Sequence, residues 1–334
     1  MIQATPGAGS PSTAPNAAPR IGLDIGGTKA EGVVLDAEGE IEARLVVPIH
    51  RGAEGVVRVA GELAAELVAR TGRGLDEFAG IGLGLPGQVD RETGSLSNAS
   101  NLDILSFPIG PELAARTGLP VIAENDVTAA SVGAVHLLDL EGTVAYLNIG
   151  TGLAAGVVVD GRPLRGAHGF AGELGHLPID PRGRQCPCGQ RGCLETAASG
   201  SALLAHWPAG GPDPGRALLA ARDSGSPAAR AEAAAAFDAL VEGSASAIRA
   251  LGLLIDPDVI VIGGGLRLIG SPLMDPIHTT LAAWARESPF LAALGLGERI
   301  TVLPEHSPVA AAGAAWLVDS RSAGSPSRPA RFPS

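Results

Sequence analysis

The sequence predicts an α/β protein built from two similar lobes with a cleft between them. Apolar strand segments alternate with amphipathic helical segments, and the order strand, glycine turn, strand occurs twice, near residues 21–36 and 143–159. The 334 residues also exceed one ordinary domain of about 100–200 residues. We therefore expect each lobe to begin with a pair of strands joined by glycines.

The first half of the chain predicts a meander of three strands followed by alternating helices and strands. Residues 37–40 (Ala-Glu-Gly-Glu) are typical of a hairpin turn, and residues 53–70 keep one apolar face at helical spacing. The expected strands are 21–25, 30–36, 41–48, 80–85 and 121–123, and the expected helices are 53–70, 111–117 and 127–138.

The second half repeats this pattern and then becomes mainly helical. An Asp-Gly turn at 160–161 closes its first strand pair. The expected strands are 143–149, 153–159, 259–262 and 299–303, and the expected helices are 195–206, 214–222, 227–254, 272–286 and 308–319.

Composition excludes several classes of protein. A net charge of −11 argues against a nucleic-acid module, which needs a basic face. There is no apolar run of about 18 residues for a membrane-spanning helix, and no basic start followed by an apolar stretch for a secretion signal. We therefore expect a cytoplasmic protein without a membrane or nucleic-acid partner. Residues 1–19 and 320–334 lack apolar periodicity, so we expect both to be disordered.

The turn after the first strand has the composition of a phosphate site. Backbone N–H groups of Gly26 and Gly27 can approach a phosphate closely, and the Thr28 hydroxyl adds a donor. Lys29 is the only lysine in the chain and supplies a compact ammonium, while Asp24 is placed to orient a magnesium ion through water. An ordinary hairpin turn is the alternative interpretation.

Two further glycine turns follow strands of the second half. None of the three turns matches the P-loop pattern or the dinucleotide pattern GxGxxG, so we expect a nucleotide held between the two lobes by another arrangement. The residues of these two turns are Gly150, Thr151, Gly152, Gly263, Gly264 and Gly265.

The three cysteines of the chain form one cluster with a histidine. His176, Cys186, Cys188 and Cys193 make the Cys₃His set that zinc takes in closed tetrahedral sites, so we expect a structural zinc loop over 176–193. The alternatives are a disulfide, which would leave one cysteine odd, and free buried thiols.

Carboxylates near this loop and in mid-chain are candidates for binding and catalysis. Glu173 and Glu195 flank the zinc loop and suit the vicinal hydroxyls of a sugar, unless they are ordinary surface charge. Asp126 follows a buried strand and fits a base that accepts a hydroxyl proton, with Asn125 holding a neighbouring hydroxyl. A helix N-cap is the alternative for this pair. Asn101 and the backbone at Gly87 are further candidates.

Together these motifs resemble the ROK family (repressor, open reading frame, kinase) over about residues 21–319. The residues that carry the resemblance are DIGGTK at 24–29, GLPG at 84–87, END at 124–126, GTG at 150–152, GELGH at 172–176, CPCGQRGCLE at 186–195 and IGGG at 262–265.

The resemblance implies an actin-like (RNase H-like) two-lobe ATPase fold with an interlobe cleft and a structural zinc loop. It also implies ATP with Mg²⁺ as cofactor, a hexose substrate, Asp126 as general base and a homodimer or dimer of dimers. The implied sugar contacts are Asn101, Asn125, Glu173, His176 and Glu195, with His176 also a zinc ligand, and the implied ATP contacts are the glycine turns 26–27, 150–152 and 263–265. We expect residues 20–123 with 308–319 to form the small lobe and residues 124–307 the large lobe.

Several functions stay open at this point. We expect phosphorylation of the 6-hydroxyl of glucose, but N-acetylglucosamine, N-acetylmannosamine, mannose and fructose are alternatives, as is polyphosphate as donor. The stretch after Asn101 lacks the Gly-Trp that family members often carry there, which bears on the sugar. A sugar-responsive regulator and a non-catalytic sugar-binding protein are the alternatives from other functional classes.

Overall fold

The computed structural model describes residues 18–211 and 214–318, which form two lobes, each built on a five-stranded sheet. The predicted disorder of 1–19 and 320–334 falls almost wholly outside these residues. At Pro19 the prediction is wrong, because its carbonyl accepts a 2.9 Å hydrogen bond from the N–H of Ala79. None of the helices in the described parts of the chain combines the length and apolar character needed to cross a bilayer.

The first sheet has the strand order β3-β2-β1-β4-β8, in which β1, β4 and β8 run parallel. A small antiparallel sheet β5-β6-β7 lies between β4 and β8 in sequence. The elements are β1 (Arg20–Ile25), β2 (Lys29–Leu35), β3 (Ile41–Pro48), α1 (Ala53–Thr71), β4 (Ile81–Leu85), β5 (Gln88–Asp90), β6 (Ser95–Ala99), β7 (Ile104–Phe107), α2 (Ile109–Thr117), β8 (Val121–Asn125) and α3 (Asp126–Leu137).

The second sheet has the order β11-β10-β9-β12-β13, in which β9, β12 and β13 run parallel. The elements are β9 (Thr143–Ile149), β10 (Leu153–Val159), β11 (Arg162–Pro163), α4 (Gly200–His206), α5 (Pro214–Ser224), α6 (Pro227–Leu254), β12 (Val259–Gly263), α7 (Ser271–Glu287), α8 (Pro289–Ala293), β13 (Ile300–Val302) and α9 (Val309–Trp316). Short 3₁₀ turns cover Leu75–Glu77, Ser100–Leu102, Leu174–His176, Leu194–Thr196, Pro208–Gly210, Gly265–Ile269 and Leu296–Arg299.

Most predicted elements are confirmed within a residue or two, and four are matched without any shift: 41–48, 143–149, 153–159 and 227–254. The predicted helix 195–206 is wrong in its first half. Its N-terminal residues form a 3₁₀ turn, and α4 begins only at Gly200, where the hydroxyl of Ser199 accepts the N–H of Ala202 at 3.0 Å. A serine that caps one helix cannot lie inside another.

Helices α3 and α9 connect the two sheets through backbone contacts. A Cβ on Gly313 of α9 would overlap the carbonyl of Ala129 in α3, and one on Gly82 of β4 would overlap the carbonyl of Ala314. On the other side, a Cβ on Gly156 of β10 would lie 2.7 Å from the carbonyl of Val127. Glycine at these positions lets the backbones of neighbouring layers approach each other closely. The order of the layers is the first sheet, α9, α3 and the second sheet.

Candidate active site

The carboxyl ends of parallel strands from both sheets meet at one cavity of about 420 Å³ between the lobes. The first sheet contributes Asp24 and Lys29, and Asp126 follows β8 directly. The second sheet contributes Asn148 at the end of β9 and Gly264 after β12. The fold therefore brings the predicted base, the first glycine turn and the third glycine turn into one cleft.

Asp126 is the first residue of α3 and its carboxyl group lines this cavity. Burial raises its pKa to about 6, the N–H of Val127 opposes this shift, and the negative charge of Glu173 adds to it. The Oδ1 atom accepts that N–H at 2.8 Å. A carboxyl with this pKa is ionised at neutral pH and retains enough basicity to accept a proton.

Asn125, rather than Asp126, is the N-cap of α3. Its Oδ1 accepts the N–H groups of Val127 and Thr128 at 3.0 and 3.1 Å. Its Nδ2 donates to the carbonyl of Gly87 at 3.3 Å. The predicted substrate residues Asn125 and Gly87 thus contact each other, and the amide oxygen of Asn125 is committed to the helix.

The first glycine turn lies beside Asp24, a half-buried residue at the end of β1. Burial raises its pKa to about 7, the charges of Asp126 and Glu31 add to this, and Lys29 lowers it. The N–H of Gly26 donates to the carbonyl of Lys29 at 2.9 Å, which closes the turn. Because carboxylates gather here in a buried cleft, the oxygen donors fit a hard cation such as Mg²⁺.

Asn101 lies against the same turn. A Cβ on Gly27 would lie 3.1 Å from the Asn101 carbonyl, and Arg51 Nε donates to the carbonyl of Gly27 at 3.3 Å. The Ser100–Leu102 turn is fastened to this region because the Leu102 carbonyl accepts the N–H of Gly52 at 2.8 Å. Asn101 therefore shares one surface with the predicted phosphate turn.

The two other glycine turns border a second cavity of about 500 Å³. The N–H of Gly200, at the start of α4, donates to the carbonyl of Gly150 at 2.8 Å, and that of Ser201 donates to Thr151 at 3.1 Å. Gly265 and Leu268 line both this cavity and the interlobe cavity, so the two are adjacent there. The apolar lining residues are Leu204, Leu219, Leu266, Leu268 and Ile269. This cavity fits a flat apolar group whose polar end points to the cleft.

The predicted zinc ligands converge. One ligand atom from each of His176, Cys186, Cys188 and Cys193 lies within 4.8 Å of every other. Cys188 Sγ is 3.6 Å from Cys193 Sγ, and Cys186 Sγ is 3.8 Å from His176 Nδ1. Zn–S bonds of about 2.3 Å place the sulfurs of a tetrahedral site about 3.8 Å apart, whereas a disulfide needs about 2.05 Å. The donor set therefore fits zinc, and all three cysteines are free thiols in this structure.

The two predicted sugar glutamates are held by the ends of the zinc loop. Glu173 Oε2 lies 3.9 Å from His176 Nε2, so the imidazole faces the thiols with one nitrogen and Glu173 with the other. Glu195 Oε2 accepts the N–H of Leu153 at 2.9 Å and packs on Gly152. One oxygen of Glu195 therefore fixes the second glycine turn.

Sequence reasoning missed charged residues whose partners lie far along the chain. Arg267 lines the cleft and donates to the carbonyls of Gly264, Leu303 and Pro304 at 2.8, 3.0 and 3.2 Å. Glu124, next to Asn125, pairs with Arg165 at 2.6 Å. The only signal in the sequence was position, since Arg267 follows the third glycine turn and Glu124 belongs to the END motif.

Comparison with known proteins identifies close relatives of this fold and sequence. The ROK family model matches residues 20–321. The chain is 34% identical over 282 residues to a glucokinase of Streptomyces coelicolor, covering 79% of this chain and 87% of that protein. Other relatives are an N-acetylmannosamine kinase of Citrobacter koseri, 37% identical over 190 residues, and an N-acetyl-D-glucosamine kinase of Escherichia coli O6:H1, 32% identical over 265 residues.

Solved structures give the same result. The ROK hexokinase from Thermus thermophilus is 32% identical with a TM-score of 0.72, covering 91% of this chain and 99% of that chain. A ROK family glucokinase from Streptomyces griseus, in complex with glucose and AMPPNP, is 30% identical with a TM-score of 0.69. That match covers 90% of this chain and 98% of the other.

Proposed function

Since this chain belongs to the ROK family and is an ATP-dependent sugar kinase with the actin-like fold, we propose that it phosphorylates the 6-hydroxyl of glucose with Asp126 as general base. One observation carries the proposal: the half-buried Asp126 shares a cavity with the glycine turns at Lys29 and Gly264. A base and two phosphate-binding turns in one cleft are the parts that phosphoryl transfer needs.

Two cavities and three turns divide the binding of ATP. The adenine occupies the apolar cavity beside Gly150, and the phosphates extend past Gly265 into the cleft. There the Lys29 ammonium and the N–H group of Gly27 face the negative charge, while the N–H of Gly26 closes the turn through the Lys29 carbonyl. Asp24 would hold a magnesium ion through water, and such an ion, when bound, neutralises charge that develops on the phosphates.

The sugar lies between Asp126 and the ends of the zinc loop. Glu173 and the Nε2 of His176 take two of its hydroxyls, Glu195 takes a third with its remaining oxygen, and Asn101 and the amide of Asn125 border the first lobe. Zinc, when bound to His176 and the three cysteines, fixes the loop that carries these acceptors. Asp126 accepts the proton of the 6-hydroxyl as its oxygen attacks the γ-phosphate.

Glucose is supported by relatives named as glucokinases at 32–34% identity. The N-acetylhexosamine kinases among the relatives support a second candidate, an N-acetylglucosamine or N-acetylmannosamine kinase. The loop after Asn101 favours keeping this alternative, because it lacks the Gly-Trp that family members often carry there and exposes Leu105 to 81%. The two candidates differ in the group at carbon 2 of the sugar.

A coupled ADP-release assay over glucose, mannose, fructose and both N-acetylhexosamines tests the proposal, with ATP and then polyphosphate as donor. We expect the highest kcat/KM for glucose with ATP. We expect D126N to lower kcat about 10²–10⁴-fold, the usual contribution of a general base. D160N, in the exposed turn after β10, is the matched control with the same charge change. A D126N variant that keeps wild-type turnover would contradict the base assignment.

We also propose that the lobes divide at residue 123/124, with 308–319 returning to the small lobe, and that the protein forms a homodimer or a dimer of dimers. The close packing of α9 on Gly22 and Gly82 of the first sheet supports the return of the last helix. The family resemblance supports the assembly. Light scattering at several protein concentrations measures the oligomeric state.

A further inference from the structure

An ion pair next to Asp126 connects the two sheets. Glu124 is the fourth residue of β8 in the first sheet, and Arg165 follows β11 at the edge of the second. Arg165 Nε lies 2.6 Å from Glu124 Oε2. Glu124 is only 5% exposed, so this contact is shielded from solvent on the carboxylate side. Nothing in the catalytic scheme above uses it.

Both partners are connected through backbone hydrogen bonds to residues of the site. The other oxygen of Glu124, Oε1, accepts the N–H of Asn125 at 3.1 Å, and Asn125 caps the helix that begins at Asp126. The carbonyl of Arg165 accepts the N–H of Ala171 at 3.2 Å, and that of Phe170 accepts the N–H of Glu173 at 3.3 Å. The ion pair thus joins the start of α3 to the loop that carries Glu173.

We propose that Glu124 and Arg165 are positioning residues that hold Asp126 and Glu173 at a fixed separation across the cleft. This inference rests on the proposed role of Asp126. Acceptors of the sugar lie on the second sheet and the base follows the first, so a link between the sheets sets where the reacting hydroxyl lies relative to the carboxylate. Misplacement of reacting groups by about 1 Å is enough to lower a rate about 10²-fold.

Burial of the Glu124 carboxylate makes the link sensitive to loss of either partner. A buried carboxylate without its cation is destabilised, and the strand end would shift to reach water. The Nη2 atom of Arg165 is buried and has no hydrogen-bond partner within the described residues. Its bonds are the one to Glu124 and a long one, 3.5 Å, to the carbonyl of Pro163.

Steady-state kinetics of R165M, R165K, E124Q and the double variant E124Q/R165M test the proposal in the zinc-loaded enzyme. We expect R165M to lower kcat about 10–100-fold while KM for ATP stays within about twofold of wild type. The double variant should lose no more than the worse single variant, since both remove one interaction. R165K keeps a positive charge, and the contact uses a single hydrogen bond, so its kcat should be about tenfold higher than that of R165M.

R299M is the matched control. Arg299 pairs with Asp256 at the same 2.6 Å, its side chain is 25% exposed against 26% for Arg165, and it lies at the opposite end of the second sheet. Unfolding temperature and zinc content of each variant show whether it is folded, and R165K with E124Q carry the test if R165M is not.

The outcomes separate the two claims. R165M within about twofold of wild-type kcat, an additive double variant, or an equal loss in R299M would overturn the positioning role. If D126N is inactive in the same assay, the base assignment stands even where the positioning role has been overturned. If D126N is fully active, the base assignment is wrong, and the positioning role that rests on it is wrong as well.

Discussion

Asn125 caps helix α3 with its amide oxygen, and Asp126, the next residue, lines the interlobe cavity with its carboxyl group. The capping of α3 by Asn125 leaves the Asp126 carboxyl group available for proton transfer. Because the cap is supplied by Asn125, the Asp126 carboxylate accepts one backbone N–H and is otherwise available for a substrate. Its burial then raises its pKa to about 6.

We expect kcat/KM for the sugar to fall tenfold per pH unit below about pH 6 and to be level above it. A general base works only when deprotonated, so activity is lost as pH falls through the pKa of about 6 that burial gives Asp126. Measurement of kcat/KM for the sugar from pH 5 to 8.5 at saturating MgATP reports the titration of Asp126 while the cation site is filled. A profile that stays flat down to pH 5 would rule Asp126 out as the titrating base.

Replacing Asp126 by Asn should stabilise the folded protein at alkaline pH. The folded-state pKa is raised from 3.8 to about 6, so the folded state binds more protons than the unfolded state between these values. The favourable contribution of this carboxyl is complete below pH 3.8 and is lost as pH rises through about 6. We therefore expect D126N to raise the free energy of unfolding by about 1–3 kcal/mol at pH 8 and about half as much at pH 5.

Urea unfolding at both pH values measures this difference, with D160N as the exposed control that should change little. Equal effects at pH 8 and pH 5 would show that burial of the charge is not the cause. The combination of lower activity and higher stability is expected where a buried charge serves catalysis.

Removal of zinc should weaken sugar binding more than nucleotide binding. The four zinc ligands lie between Glu173 and Glu195 in the sequence, and both glutamates belong to the proposed sugar site. None of the four lines the apolar cavity beside Gly150. We expect one zinc per chain, and about 10–100-fold weaker glucose binding in C193S with AMPPNP affinity within about threefold, the range seen when supports of a site are lost. Calorimetric titration with each ligand measures both. Full glucose affinity in zinc-free protein would contradict a role of the metal in the sugar site.

How much of the site the sequence could predict depends on the range of the interactions. The zinc ligands and the glycine turns lie in short motifs, and α6 has a regular apolar face that begins after the Ser226 cap, so all of these were predictable. The sheet β5-β6-β7 was not, because its strands have only three to five residues and both β5 and β6 are largely polar. The Glu124–Arg165 pair was not either, since its members are 41 residues apart and meet only when the two sheets are in place.

The contact between α3 and α9 leaves no room for a side chain at residue 313. We expect G313A to destabilise the protein by about 1–3 kcal/mol or more, because the added Cβ overlaps the Ala129 carbonyl and backbone atoms cannot move aside as a side chain can. G297A is the control, since its Cβ would meet only the Nδ1 atom of His278 at an ordinary 3.5 Å.

The same substitution should also alter activity. Because α9 packs on the first sheet and α3 on the second, a wider α3–α9 contact changes the separation of Asp24 from Asp126 and Gly264 across the cleft. KM for ATP should therefore rise in G313A at temperatures where the variant is still folded, which calorimetry and kinetics on one sample establish. Unchanged stability together with unchanged KM for ATP would show that the helix contact tolerates a methyl group, and that the glycine-to-carbonyl approach does not set the width of the cleft.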